Sequence, residues 1–249
     1  MDFKKGERLD YLFFDKQLKI IQRDGLFSFS LDSLLLAAFV HVPIQKGNLI
    51  DLCSGNGAIP LMLSRRTKGR LTGVEIQREV HEMAEKSVRL NQLEDRIRLV
   101  CADLKDMPEE LKADSFDVVT CNPPYFSPST ESSVTENPSV AAARHELHTT
   151  LEDVVSVSGK LLKQGGKAAF VFPPARMVEF MALMRVHRLE PKRLLWVQPK
   201  PGKEANRMLI EGKKDAKPGL RVLPPLVVYN EDNEYTKELR AFCDITSTP

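Results

Sequence analysis

The stretch Leu49-Ile-Asp-Leu-Cys-Ser-Gly-Asn-Gly57 decides the fold of this chain of 249 residues. An apolar run of strand length ends in two glycines, and a helical pattern begins near Ala58. Glycine lets the backbone turn tightly and approach a ligand without a Cβ in the way. The order strand, glycine turn, helix is therefore typical of an α/β domain that binds a ligand at the turn.

Short β-rich runs alternate with helical patterns on both sides of this turn. With Leu49–Cys53, the predicted strands are Arg70–Ile76, Ile97–Asp103, Phe116–Asn122, Lys167–Phe172, Lys192–Gln198 and Asn206–Lys213. The predicted helices cover Leu34–Val40, Gln77–Gln92 and a segment from a Thr149/Glu152 capping box to Gly165-Gly166. The early strands are almost wholly apolar, as strands covered on both faces are. This alternation predicts a doubly wound, mostly parallel sheet with helices on both faces.

The end of the sheet and the domain limits follow from the same pattern. Only the loop Pro199–Glu204 separates the last two strands, which predicts an antiparallel hairpin at the sheet's edge. We expect residues 1–45 to be an N-terminal elaboration packed on the core, residues 46–242 to be the main domain, and residues 243–249 to be a frayed tail. The Ser-, Thr- and Pro-rich stretch Tyr125 to Ala141 is predicted to be a functional loop.

Composition excludes several classes of protein. A hydrophobic content of 42% and a charged content of 28% are those of a globular chain. No apolar run approaches the ~18 residues of a membrane span, and the N-terminus lacks a signal-peptide core. These features predict a cytoplasmic protein without membrane association.

The cysteines and histidines do not form a metal-binding pattern. Cys53, Cys101, Cys121 and Cys243 have no paired spacing, so we expect neither a zinc site nor a disulfide framework. The histidines of His145-Glu-Leu-His148 are three positions apart, not the four of a zinc helix. We therefore expect no bound metal.

Basic residues are concentrated late in the chain. The formal net charge is only +2, but Arg185 to Arg221 contains eleven Lys or Arg and four acids, a net charge of +7. Such asymmetry predicts contact with a polyanion, with a solvated basic face as the alternative. Candidate nucleic-acid contacts are Lys200, Lys203 and Arg207, together with Arg144, which could equally belong to a polar helix start.

Three acids stand at the ends of three successive predicted strands around the glycine turn. Asp51 can accept from a ligand ammonium, Glu75 suits hydrogen bonds to both hydroxyls of a ribose, and Asp103 can meet an adenine amino group. A chance set of surface acids is the alternative.

With these residues the sequence resembles the class I methyltransferases, whose cofactor is S-adenosylmethionine. The resemblance implies a Rossmann-like, seven-stranded, mostly parallel sheet with a terminal antiparallel hairpin. It implies that Asp51, Gly55 and Gly57 hold the methionine end of the cofactor, Glu75 the ribose and Asp103 the adenine. Further candidates for cofactor contact are Cys53, Asn56, Ile76, Leu104 and Asn122.

The motif Asn122-Pro123-Pro124-Tyr125 carries the predicted chemistry. The lone pair of a conjugated amino nitrogen is delocalised into its ring, which makes it a poor nucleophile. Hydrogen bonds to the Asn122 side-chain oxygen and the Pro123 carbonyl would hold that nitrogen and favour a charged transition state. The two prolines stiffen the turn, and Tyr125 offers a ring for stacking. The alternative is a turn that merely ends a strand.

Three groups of methyltransferases share this motif: adenine N6, guanine N2 and release-factor glutamine N5 enzymes. The chain most resembles the bacterial tRNA(Val)-type adenine N6-methyltransferases. The residues that carry this likeness are Leu9-Asp-Tyr, Ile20-Ile-Gln22, Phe27-Ser-Phe-Ser-Leu-Asp32-Ser-Leu-Leu, Asn122–Tyr125 and Arg144-His145-Glu146. The resemblance implies a tRNA substrate, methylated on the adenine just 3′ of the anticodon, and no obligate protein partner. The other two activities and a non-catalytic cofactor-binding scaffold remain as alternatives.

Overall fold

The computed structural model describes residues 3–13, 15–26, 29–123 and 149–244. The strands are β1 (Glu7–Leu12), β2 (Asp15–Arg23), β3 (Asn48–Leu52), β4 (Arg70–Glu75), β5 (Ile97–Cys101), β6 (Phe116–Cys121), β7 (Leu162–Phe172), β8 (Leu189–Gln198), β9 (Arg207–Lys214), β10 (Arg221–Val222) and β11 (Leu226–Val227). The helices are α1 (Leu31–Phe39), α2 (Ala58–Leu63), α3 (Arg78–Leu90), α4 (Leu151–Leu161), α5 (Met177–Val186) and α6 (Lys237–Phe242). The loop Tyr125–Ala141 and the segment His145–His148 lie outside the described residues.

The main sheet has the predicted doubly wound arrangement. Its order is β10-β8-β9-β7-β6-β3-β4-β5, and β11 also pairs with β8. The strands β3 to β7 are mutually parallel, whereas β9 runs antiparallel to both β7 and β8. All seven predicted strands are present, so the Rossmann-like fold class is confirmed.

Three predictions about local structure are wrong, and two of them concern the same helix. The hairpin β8–β9 does not form the sheet's edge, because the two-residue strands β10 and β11 pair in parallel with β8. Strands this short leave no periodicity in a sequence. The helix before β7 is capped by Thr150 and Asp153, which exchange side-chain and backbone hydrogen bonds, and not by Thr149 and Glu152.

The same helix also ends earlier than the sequence suggests. It stops at Leu161, and β7 runs through Gly165-Gly166. Gly165 has φ +74°, and the pairing of β6 with β7 shifts register between Phe116 and Val118. The glycines therefore accompany an irregularity in a strand and do not stop a helix.

Helices cover the sheet on both faces. One hydrophobic cluster packs α1 and α2 against β3, β6, β7 and β9. A second packs α4 and α5 against the opposite face of the same strands. No helix in the described ranges combines the length and apolar character that crossing a membrane would require.

The N-terminal hairpin β1–β2 docks on α3 through the free edge of β2. The Asn91 amide donates to the Lys19 carbonyl at 2.6 Å and accepts from the Lys19 N–H at 3.0 Å. The Ile21 N–H donates to the Ser87 hydroxyl at 2.9 Å. Side chains thus satisfy backbone groups that an edge strand would otherwise leave unpaired.

This docking predicts that Asn91→Ala destabilises the fold by about 1–3 kcal/mol, because two backbone groups of β2 lose their partner. The free energy of unfolding in urea measures the loss. The matched control is Asn48→Ala, which removes a single exposed hydrogen bond to the Ser115 carbonyl. A loss no larger than that of the control would mean that the hairpin does not depend on Asn91.

Candidate active site

The candidate site lies at the carboxyl edge of the parallel strands. Asp51 in β3 stands opposite Gly73, Glu75 ends β4 opposite Cys101, and Leu52 stands opposite Cys121 of β6. The register therefore brings the predicted strand-end residues to one edge, where α/β sheets bind their ligands.

The glycine turn has a left-handed backbone and is fixed by Glu75. Cys53, Gly55 and Gly57 have φ values of +58°, +56° and +85°. The Glu75 carboxylate, 7% exposed, accepts from the backbone N–H groups of Gly55 and Gln77, each at 2.9 Å. One side chain therefore ties the turn after β3 to the end of β4.

Gly73 in β4 packs against this turn, a role that was not predicted from the sequence. A Cβ at Gly73 would lie 2.9 Å from the Ser54 hydroxyl oxygen, so β4 has to present a glycine here for the turn to pack. The sequence carried one signal for it, a glycine inside a predicted strand, which often marks a close approach of backbone.

Asp51 is buried, with 2% of its surface exposed, and one of its carboxyl oxygens accepts a hydrogen bond from Thr120. The Thr120 hydroxyl donates to Asp51 Oδ1 at 2.6 Å. Burial raises the pKa of the Asp51 carboxyl well above its usual value; the Thr120 hydrogen bond opposes this, and the charge of Glu75 adds to it. Burial also raises the pKa of Glu75, against the opposing effect of its backbone N–H donors. Two such carboxyls side by side favour a cationic ligand.

Several buried side-chain oxygens around the turn can accept a hydrogen bond from a ligand. Within the described residues, Asp51 Oδ2, Ser54 Oγ and Asn56 Oδ1 have no hydrogen-bond partner. The Asn56 amide nitrogen is committed to the Ile21 carbonyl of the N-terminal hairpin at 3.1 Å, which fixes its oxygen. Because unpaired buried polar atoms are costly, this acceptor set fits a ligand that brings an ammonium group and hydroxyls.

The end of β5 supplies a carboxylate and an apolar side chain. Asp103 caps a short 3₁₀ helix, Leu104–Asp106, and accepts from the Lys105 N–H at 2.9 Å. Leu104 is buried, whereas Ile76 after β4 is 46% exposed. An exposed isoleucine at the edge offers apolar surface to a flat ring.

Asn122 follows β6 and meets the first turn of α1. Its Nδ2 donates to the Ser33 hydroxyl oxygen at 3.3 Å. Pro123 beside it is buried. Pro124, Tyr125 and Arg144 lie outside the described residues, so the structure places only the first half of the motif.

The thiols near the site are suited to packing. Cys121 is buried, and burial raises the pKa of its thiol well above the usual value, an effect that the neighbouring Cys53 thiol strengthens. A thiol held protonated is a poor nucleophile. Among the described residues, no group of three or more His, Cys, Asp or Glu is arranged to hold a metal ion.

The basic stretch is spread over both ends of the hairpin β8–β9. Arg188 and Lys214 lie at the amino edge of the sheet, paired with Asp215 and Asp114 at 2.6 and 2.7 Å. The β8–β9 loop, with Lys200 and Lys203, and the start of β9, Arg207, lie at the carboxyl edge. Arg207 Nε donates to the Asp32 carboxylate at 3.0 Å. Only this end of the stretch shares an edge with the candidate site.

Two proteins named "tRNA1(Val) (adenine(37)-N6)-methyltransferase" are similar to this chain. The one from Shewanella sp. (strain MR-4) is 26% identical over 212 residues, which cover 84% of this chain and 87% of that protein. The one from Haemophilus influenzae (strain PittEE) is 28% identical over 236 residues, which cover 93% of this chain and 94% of that protein.

Solved structures share the fold. A predicted O-methyltransferase from Agrobacterium tumefaciens superposes with a TM-score of 0.71 at 22% identity, covering 88% of this chain and 98% of that one. A geranyl diphosphate C-methyltransferase from Streptomyces coelicolor, in complex with S-adenosyl-L-homocysteine, gives a TM-score of 0.56 at 16% identity, with coverages of 74% and 78%. These likenesses confirm the predicted class I methyltransferase fold.

A family model covers both the glycine turn and the Asn122 motif. The model of the methyltransferase small domain matches residues 17–150, more than half of the chain. This chain therefore belongs to the methyltransferase small domain family.

Proposed function

We propose that this chain transfers the methyl group of S-adenosylmethionine to N6 of an adenine in tRNA, the adenine just 3′ of the anticodon. The observation that carries the proposal is the position of Asn122, whose side chain stands at the sheet edge that also carries the buried acceptors Asp51 and Glu75. The relatives named for adenine N6 methylation of tRNA support the choice of substrate.

The cofactor supplies an electrophilic methyl group on a sulfonium. Asp51 would accept a hydrogen bond from its ammonium, which would bring a counter-charge to this buried carboxyl. Glu75 accepts from the ribose hydroxyls with the lone pairs that its backbone donors leave free. In the same proposal Asp103 would accept from the adenine amino group of the cofactor, and Ile76 would contact its ring.

Asn122 and Pro123 orient the target nitrogen. The Asn122 oxygen and the Pro123 carbonyl accept hydrogen bonds from the adenine NH₂, which holds its lone pair in line with the methyl group. These acceptors gain strength as positive charge develops on the nitrogen, so they stabilise the transition state more than the ground state. In the same proposal Pro124 stiffens the turn and Tyr125 stacks on the flipped base.

The tRNA meets the carboxyl edge of the sheet. Lys200, Lys203 and Arg207 stand at that edge and would contact backbone phosphates, together with Arg144.

We place the reaction in the cytoplasm, in keeping with the free thiols of all four cysteines. Residues 46–242 would form the methyltransferase domain, with residues 1–45 as its N-terminal elaboration and residues 243–249 as a tail.

The burial of Asp51 predicts opposite effects of Asp51→Asn on stability and on binding. A carboxyl with a raised pKa loses its contribution to stability as pH rises through that pKa, and Asn has no charge to bury. Without cofactor, the variant should therefore melt at the same or a higher temperature than the native chain at neutral pH. Cofactor affinity should fall by roughly 10- to 100-fold, because the ammonium loses its counter-charge.

Thermal unfolding and calorimetry with S-adenosylmethionine and S-adenosylhomocysteine test both effects. Asp117→Asn is the control, since Asp117 lies at the start of β6 and pairs with Lys163 away from the site. Native cofactor affinity in Asp51→Asn would refute the role given to this carboxyl.

The role of Asn122 predicts that Asn122→Ala lowers turnover by on the order of a hundredfold or more. The affinity for S-adenosylmethionine should change by no more than a few-fold, because the lost hydrogen bond forms mainly in the transition state. Single-turnover methylation and calorimetry separate the two quantities. A variant with near-native turnover on the true substrate would remove Asn122 from the mechanism.

The substrate assignment predicts N6-methyladenosine in tRNA treated with the protein and labelled cofactor. The product should disappear when the adenine 3′ of the anticodon is replaced by guanine, whose hydrogen-bonding edge differs. Digestion and chromatography of the nucleosides identify the product. Methylated glutamine in release factor, or N2-methylguanosine in rRNA, with tRNA untouched, would assign the site to one of the alternative activities.

A further inference from the structure

The first turn of α1 contacts the carboxyl edge of the sheet at two points. Ser33 accepts from Asn122 Nδ2 at 3.3 Å, and Asp32 accepts from Arg207 Nε at 3.0 Å. Both helix residues are buried, with 4% and 6% of their surfaces exposed. The N-terminal part of the chain therefore reaches the residue on which the chemistry depends.

An asparagine side chain can present either end of its amide. Rotation about its last side-chain bond is broad and nearly two-fold, so the surroundings decide whether oxygen or nitrogen faces a ligand. Here Nδ2 donates to the Ser33 hydroxyl oxygen, and Oδ1 is the end of the amide on the opposite side. Within the described part of the chain, Ser33 is the one side chain that hydrogen-bonds this amide.

We infer that Ser33 is a positioning residue for methyl transfer, which holds the Asn122 side chain at the sheet edge with its amide nitrogen engaged, so that the amide oxygen faces the target amino group. This inference rests on the proposed function, because only an amino-group substrate needs an acceptor there. A reversed amide would set its own NH₂ against the NH₂ of the target, donor against donor, and the transition state would lose a hydrogen bond.

The surroundings of Ser33 keep it in place. Its N–H donates to the Ser30 carbonyl at 3.1 Å, and the Asp32–Arg207 pair fixes the adjoining residue of α1 to β9. A polar partner held by a helix backbone and a neighbouring ion pair can orient a side chain with little freedom.

The first test is Ser33→Ala. It should lower kcat by about 3- to 20-fold, the equivalent of one lost hydrogen bond, with KM for tRNA and affinity for S-adenosylmethionine unchanged within about twofold. Ser158→Ala is the matched control, because Ser158 is also a buried helical serine, and its hydroxyl donates to the Val154 carbonyl within α4. That variant should keep native kcat.

A double-mutant cycle separates positioning from a general structural effect. In the Asn122→Ala background, Ser33→Ala should change kcat by less than about twofold, since no amide remains to be oriented. If the two substitutions multiply independently, or if Ser33→Ala alone keeps native kcat, the inference fails.

A readout without tRNA distinguishes this failure from failure of the proposed function. Hydrogen exchange of the Asn122 side-chain NH₂, identified in ¹⁵N spectra by its loss in Asn122→Ala, should be faster in Ser33→Ala than in the native protein or in Ser158→Ala. If the native protein leaves tRNA unmethylated but this difference is seen, the Ser33 contact stands and the substrate assignment fails. Equal exchange rates in all three proteins would overturn the positioning role whatever the substrate.

Discussion

The site depends on the hydrogen bonds that the Glu75 carboxylate accepts at the end of β4. This buried group binds the backbone N–H groups of Gly55 and Gln77. It ties the left-handed turn after β3 to the end of β4, and that turn contains Asn56. The arrangement has an electrostatic cost, because burial raises the pKa of Glu75 and of Asp51, and the two charges repel. A ligand that brings an ammonium and hydroxyl donors removes that cost. The same hydrogen bonds therefore explain both the shape of the turn and its chemical preference.

The second half of the site is built by contacts across the sheet. Thr120 in β6 reaches Asp51 in β3, and Ser33 in α1 reaches Asn122 after β6. Asn56 in the turn is held by Ile21 of the N-terminal hairpin. The segment before the first core strand thus touches both the proposed cofactor side and the proposed substrate side. Its contribution is to orient polar groups that belong to the main sheet.

The sequence alone predicts the frame well, because buried parallel strands leave continuous apolar runs and because acids at their ends fall on one edge. It predicts neither the hairpin β1–β2, whose strands contain many charges, nor the two-residue strands β10 and β11. Thr120 and Ser33 also escape prediction, since each acts on a residue 69 or 89 positions away in the chain. Such pairings depend on strand register and helix placement, which periodicity does not encode. The misplaced helix cap is a smaller error of the same kind: Thr149 and Thr150 are equally good caps until the backbone selects one.

We propose above all that an adenine amino nitrogen of tRNA is methylated while Asn122 holds it by a hydrogen bond. The most direct measurement is nucleoside mass spectrometry of tRNA from cells that lack this chain, complemented with the native chain or with Asn122→Ala. We predict that N6-methyladenosine 3′ of the anticodon is lost in the deletion strain, returns with the native chain and does not return with the variant. Unchanged N6-methyladenosine in the deletion, or full restoration by Asn122→Ala, would contradict it.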